Sequence, residues 1–291
     1  MIAVFAALAG GIMLTIGAAY MYYRLEWKAV IICAILVGTS MAVSGRAIDA
    51  PLLTAPFLVG CLAGYVFKKG KSFEFYLITI SFALTAIFAG FFYYMMIVQN
   101  VDFIGMLREE MARFLASTGA PDDIRNGMLS EFDSSRNDIV ARVPFSAFIN
   151  SMAMAGIAYM MIRWVFSRMG QAVRGAGLEF FRLNDYFIFV LIGGLSVFLL
   201  VDKSDYPMLS SGGLNALLIA ALLYLVQALG VIKFILIKRG IPTYVMPLAI
   251  TAFMIAGLWT ALFLFILLAG FGALDVWADF RKLVGKKEPE G

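Results

Sequence analysis

Read for runs of apolar and polar positions, the chain divides into eight apolar segments, at about residues 1–23, 29–45, 52–67, 74–98, 144–166, 186–201, 214–237 and 244–273. Crossing ~30 Å of hydrocarbon takes roughly 20 helical residues, and most of these segments approach or exceed that length. The pattern predicts an all-α, polytopic transmembrane helical bundle of about eight membrane segments. One long polar stretch, 99–143, interrupts it. Its apolar residues keep a helical period, with Phe103, Leu107, Met111, Phe114 and Leu115 on one face. Ile124, Met128, Leu129 and Phe132 mark a second face beyond a Gly119-Ala120-Pro121 stop. An amphipathic helical hairpin inserted outside the membrane is expected there. The organisation read from the sequence is therefore 1–98 (segments 1–4), 99–143 (hairpin), 144–274 (segments 5–8) and 275–291 (a charged tail).

Segment 1 starts at Met1 without a basic flank and runs into bulky Tyr22-Tyr23-Arg24, so a permanent first helix is expected rather than a cleaved signal. Pro51 and Pro56 fall in and before segment 3, and each removes a backbone donor. They leave two readings open, a broken or re-entrant element and an ordinary tight hairpin. Gly60 and Gly64 form a small-xxx-small pair that admits a close helix neighbour. Ala3, Ala7 and Gly11 give segment 1 a small face of its own, suited to a partner or to internal packing.

Loop charge sets the orientation. Arg24 and Lys28, Lys68 to Lys71, Arg168 to Arg182, and Lys238 with Arg239 follow the odd-numbered segments, which places that side in the cytoplasm. One feature conflicts. The tail carries Arg281, Lys282, Lys286 and Lys287, yet eight crossings would leave it outside; either the tail tolerates that position or one segment does not cross, with 46–67 and 241–273 the candidates. The hairpin holds five Arg against eight Asp and Glu, a net charge of −3, and belongs on the outer side.

Composition agrees with a membrane chain. Of 291 residues, 62% are hydrophobic and 14% charged, with a mean hydropathy of +0.90; a soluble domain is nearer half apolar and a quarter charged. The +4 net charge sits at helix ends, which speaks for the lipid bilayer as partner and against nucleic acid. Cys33 and Cys61 lie in apolar segments without metal-ligand spacing, and no redox role is read from them. The chain has no histidine. It also lacks a phosphate loop, a nucleophile–base pair and a metal motif, so no metal, cofactor or catalytic residue is expected.

The strongest polar groups inside apolar segments are Asn150 and Gln227. An amide in hydrocarbon needs partners, which either neighbouring helices or a polar solute supplies. A second feature is an interfacial charged cluster of Glu179, Arg182, Asp185, Arg239, Asp275, Asp279 and Arg281. A helix over 178–185 would pair Arg182 with Glu179 and Asp185 at i,i±3. Asp275 and Asp279 are i,i+4 on the last helix, with Trp277 as an interfacial anchor.

Three stretches, FRLNDYFIFVLIGGLSVFLL at 181–200, LYLVQALGVIKFILIKRGIP at 223–242 and GALDVWADFRKL at 272–283, resemble the YybS-like family of bacterial membrane proteins, which has no assigned biochemical activity. Such proteins are similar in layout to the substrate-binding membrane subunits of energy-coupling-factor vitamin transporters. The resemblance implies interest in Arg182, Asp185, Gln227, Arg239, Pro242, Asp275, Trp277, Asp279 and Arg281, and a bacterial cytoplasmic membrane location. Three functions compete. The first is a small-solute binding or transport component, with Asn150 and Gln227 orienting the ligand and a partner membrane or ATPase subunit supplying energy. The second is a non-enzymatic scaffold or assembly protein of the cell envelope. The third, an intramembrane enzyme on lipid-linked substrates, needs Asp275, Asp279, Glu179 and Asp185 to converge. The solute reading expects Gln227→Leu to abolish binding; the scaffold reading expects it to be nearly neutral or stabilising.

Overall fold

A computed structural model describes residues 2–44, 50–119, 121–170, 177–202, 205–255 and 257–285, and among these it is helical without strands. The N-terminal half holds α1 (Ile2–Leu25), α2 (Trp27–Ser44), α3 (Ala50–Lys69) and α4 (Phe73–Ile97). The hairpin follows as α5 (Phe103–Ser117), α6 (Asp122–Ser134) and the short α7 (Arg136–Ala141). The C-terminal half holds α8 (Val143–Arg168), a 3-10 turn (Leu178–Phe180), α9 (Phe187–Leu200), α10 (Pro207–Lys238), α11 (Val245–Ile255), α12 (Leu258–Ala278) and α13 (Phe280–Gly285). Within the described residues, α4, α8, α10 and α12 are long and apolar enough to cross a membrane.

Parallel α1 and α3 approach at small residues. A Cβ on Gly60 would collide with the carbonyl oxygen of Thr15, and one on Gly64 with that of Ala19. The Gly60/Gly64 pair thus receives a helix, and α1 meets it with Thr15, Ala18, Ala19 and Tyr22. Gly11 has nothing within 4 Å of a Cβ position; the side chains of Ala3 and Ala7 lie outside the described residues. Pro51 sits in the first turn of α3, where a missing N–H costs nothing, and α3 continues through Pro56 without a break. The broken-helix reading of 52–67 is corrected. The loop at 45–49 lies outside the described residues.

Antiparallel α4 and α8 form the centre, with Phe82 on Phe148 at one level and Phe73 and Tyr76 on Tyr159 at another. Antiparallel α9 and α10 close through Gly194 and Gly213, where a Cβ on Gly194 would stand 2.7 Å from the Leu217 nitrogen. The hairpin forms as expected, tied by Arg108 to Asp133 at 2.8 Å and by Arg136 to Asp102 at 2.9 Å.

The last apolar segment differs from its sequence reading. Residues 244–273 are not one span: the helix stops at Ile255 and restarts at Leu258. Gly257, with φ of +119°, supplies the turn, a conformation that only glycine adopts freely. The 11 residues of α11 rise only about 16 Å, whereas the 21 of α12 rise about 31 Å. Gln227 of α10 meets Gly272 and Asp275 of α12, so these two helices run parallel, with their C-terminal ends together. The chain therefore turns back between them, and Arg281 and Lys282 lie where Arg182 meets Glu74 of α4, at the same end of the bundle as Lys68 and Lys69. That removes the conflict between tail charge and helix count.

Candidate functional site

Two constructions stand out: a closed polar knot where the ends of α10 and α12 meet the 178–186 segment, and an apolar cavity among α1, α2 and α3.

Gln227 anchors the knot and is fully buried. Its Oε1 accepts the Leu183 N–H at 2.9 Å, and its Nε2 donates to the Gly272 carbonyl at 3.2 Å and to Asp275 Oδ2 at 3.1 Å. Asp275, 2% exposed, also accepts the Phe280 N–H at 3.0 Å and faces Arg281 at 3.7 Å. Arg281 reaches on to donate to the Phe181 carbonyl at 2.7 Å. Burial pulls the Arg281 guanidinium below its ordinary value while Asp275 opposes that, and an arginine so displaced stays charged. The close approach needs glycine, because a Cβ on Gly272 would overlap the Tyr224 carbonyl and one on Gly230 the Leu178 carbonyl.

A ring of ion pairs surrounds the knot. Arg182 donates its backbone N–H to Glu74 Oε2 of α4 at 3.2 Å, and its guanidinium donates to Asp279 at 3.2 Å. Asp279 occupies the left-handed region (φ 41°) at the end of α12, the turn that swings α13 back. Lys282, bonded at 2.7 Å, holds the Asp279 carboxyl below its usual range; slight burial opposes this, and Arg182 adds to it. Burial pushes the Glu179 carboxyl up, but the hydrogen bond and charge of Lys233, 2.8 Å away, outweigh it and leave the pKa lowered.

The i,i+3 ladder expected around Arg182 is corrected on one side. Residues 181–184 are not helical, so Glu179 turns to Lys233 and only Asp185 remains near Arg182, at 3.8 Å. Asp275 and Asp279 share the end of α12 but face different partners. Arg239 lies apart, exposed just after α10. The carboxylates invoked for an enzyme do gather at one end, yet Asp275, Asp279 and Glu179 are each held by a cation.

Asn150 does not join Gln227. It is exposed on α8 and donates to the Ser146 carbonyl of its own helix at 2.8 Å. A shared polar pocket of these two amides is therefore absent from the geometry. The sequence reading passed over Asn215, which is 8% exposed, accepts the Phe145 N–H and donates to the Ala141 and Ser211 carbonyls. It also passed over Glu74 and Lys233. Asn215 is an amide in an apolar run, as readable as Gln227; the other two are ordinary helix-end charges until the fold brings partners to them. Buried hydroxyls without a protein partner occur on Tyr76 and Ser81 of α4, Ser151 and Tyr159 of α8 and Tyr224 of α10, positions where ordered water is the usual partner.

The cavity, open on one side, has a volume of about 730 Å³ among α1, α2 and α3. Val37, Phe57, Leu58 and Leu62 form its apolar body, and Tyr22 and Tyr65 stand at the end near the Glu26–Lys68 ion pair. Cys33 of α2 and Cys61 of α3 line it with their sulfurs 3.8 Å apart. Among the described residues, no charged one lines it. The outer face of α2, with Ile31, Ile35 and Leu36 at 48%, 58% and 45% exposure, is apolar and unpartnered, as a lipid-facing surface is.

This is a helical membrane protein, with Gln227 and Asp275 held by protein partners and an apolar pocket among α1, α2 and α3. The chain belongs to the family described as "Predicted membrane protein (DUF2232)", whose pattern matches residues 1–276. Neither a curated protein nor a solved structure shows a significant match to it.

Proposed function

We propose that the protein is a membrane-embedded binding component for a lipophilic small molecule, working with a partner that supplies any energy transport requires. The α1–α3 cavity carries this reading. Its volume of about 730 Å³ lies within the range of small-molecule sites, roughly 300–1,000 Å³ and mostly apolar. A polar solute held by Asn150 and Gln227 is disfavoured, since every polar group of Gln227 already has a protein partner. Among the described residues the cavity is lined by no carboxylate that could couple uptake to protons, and the reading therefore includes a separate energising subunit such as an ATPase. The resemblance of 181–200, 223–242 and 272–283 to YybS-like proteins supports multi-pass residence in a bacterial cytoplasmic membrane.

The test is native mass spectrometry of the full chain in lipid nanodiscs. Gly38 lines the cavity and a Cβ there meets nothing within 4 Å, so Gly38→Phe adds bulk at the cavity wall. Wild type should retain a small-molecule adduct that Gly38→Phe lacks. Identical adduct patterns in the two proteins would contradict the reading.

The scaffold reading has its own support in the hairpin. Leu107, Phe114, Ile124 and Met128 are 53%, 65%, 55% and 42% exposed, an apolar face available to a membrane or an assembly partner. Substituting these four with serine should release a scaffold's partners and leave the adduct in place.

A further inference from the structure

Cys33 and Cys61 belong to different helices, 28 residues apart, yet their sulfurs lie 3.8 Å from one another on the wall of the cavity. A disulfide needs about 2.05 Å, a closure of under 2 Å that rotation about the side-chain bonds and a small helix shift supply. Both thiols are buried, at 4% and 9% exposure. They sit six residues in from Trp27 and eight from Lys69, about 9 and 12 Å along their helices. Water-soluble oxidants do not reach that depth, whereas a lipid-soluble molecule in the cavity touches both sulfurs. The described lining carries no formal charge, which suits an occupant that is neutral in both of its redox states. Phe57, Tyr22 and Tyr65 offer aromatic faces, and the two tyrosines offer hydroxyl donors. Metal binding fits poorly, because no group of three or more ligating side chains occurs among the described residues and no cation offsets a pair of thiolates.

We propose that Cys33 and Cys61 form a dithiol–disulfide couple that exchanges two electrons with a quinone-class molecule seated in the α1–α3 cavity. This rests on the cavity as a lipophilic site and names its substrate class. In the oxidising direction two S–H bonds break and one S–S bond forms. Two electrons enter the quinone ring, and two protons go to its two carbonyl oxygens, giving a neutral hydroquinone. The reverse step restores both thiols. The disulfide also staples α2 to α3, so the redox state sets how far the cavity can open.

The experiment uses the full chain, reduced, in nanodiscs under anaerobic conditions, with decylubiquinone as the probe. Hydroquinone is followed by absorbance and free thiols by a maleimide–polyethylene glycol gel shift. One hydroquinone should form per chain with both thiols lost together. Cys33→Ser and Cys61→Ser should each form none and keep one reactive thiol. Gly38→Phe should slow the reaction at least tenfold while iodine still crosslinks its cysteines, which shows the pair intact. No hydroquinone from a wild type with two countable thiols overturns the proposal, as does undiminished reduction by either serine variant. If decylubiquinone displaces the cavity adduct yet is not reduced, the redox couple is refuted and the binding site stands. If it neither displaces an adduct nor is reduced, and Gly38→Phe retains the wild-type adducts, both readings fall.

Discussion

Replacing Gln227 by leucine removes the group that joins three elements of the knot. The shapes are similar, so packing changes little; the loss is polar. The Leu183 N–H and the Gly272 carbonyl each lose a partner, and Asp275, at 2% exposure, loses its amide donor. A buried group left unmade costs about 1–3 kcal/mol. Asp275 keeps the Phe280 N–H and Arg281, and local relaxation lets water reach some of the exposed ends. The expected destabilisation is therefore about 2–4 kcal/mol, well below the sum of three isolated losses. This differs from the near-neutrality that a loosely filled interior would show. Denaturant titration in mixed micelles reads the change. A Gln227→Leu variant within about 0.5 kcal/mol of wild type would refute the role of the knot.

The other predictions are local. Gly272→Ala drives a methyl group into the Tyr224 carbonyl and should cost about 1–3 kcal/mol in the same titration. Asn150→Leu should stay within about 0.5 kcal/mol, because Asn150 is exposed and bonds only its own helix; Asn215→Leu should cost about 2–3 kcal/mol, since it strands the Phe145 N–H and the Ala141 carbonyl. Asp279 and Glu179 have lowered folded pKa values, so their contribution is complete above the unfolded carboxylate value and lost as pH falls through the folded one. Thermal stability should be flat from pH 8 to 6 on their account and decline below about pH 4.

Spans were legible because membrane crossing imposes length and hydropathy on the sequence itself. Seven of the eight apolar segments coincide with single helices to within several residues at most ends, and the hairpin follows its amphipathic period. The break in 244–273 was not legible. Its only local signal is Gly257, and membrane helices carry many glycines; the misplaced tail charge was the better clue. Gln227 was visible as an amide in hydrocarbon, but its partners are backbone groups of Leu183 and Gly272, which no side-chain pattern marks. Likewise, Cys33 and Cys61 look unrelated by spacing and become neighbours only because α2 and α3 are antiparallel.

The side of the tail decides whether α10 and α12 run parallel as described. In a Cys33→Ala, Cys61→Ala chain, single substitutions Lys71→Cys, Asn126→Cys and Gly285→Cys are labelled in intact cells with a membrane-impermeant maleimide, before and after permeabilisation. Lys71→Cys and Gly285→Cys should label together, only after permeabilisation, and Asn126→Cys before it. Gly285→Cys labelling with Asn126→Cys instead would contradict the returning α12 and the knot built on it.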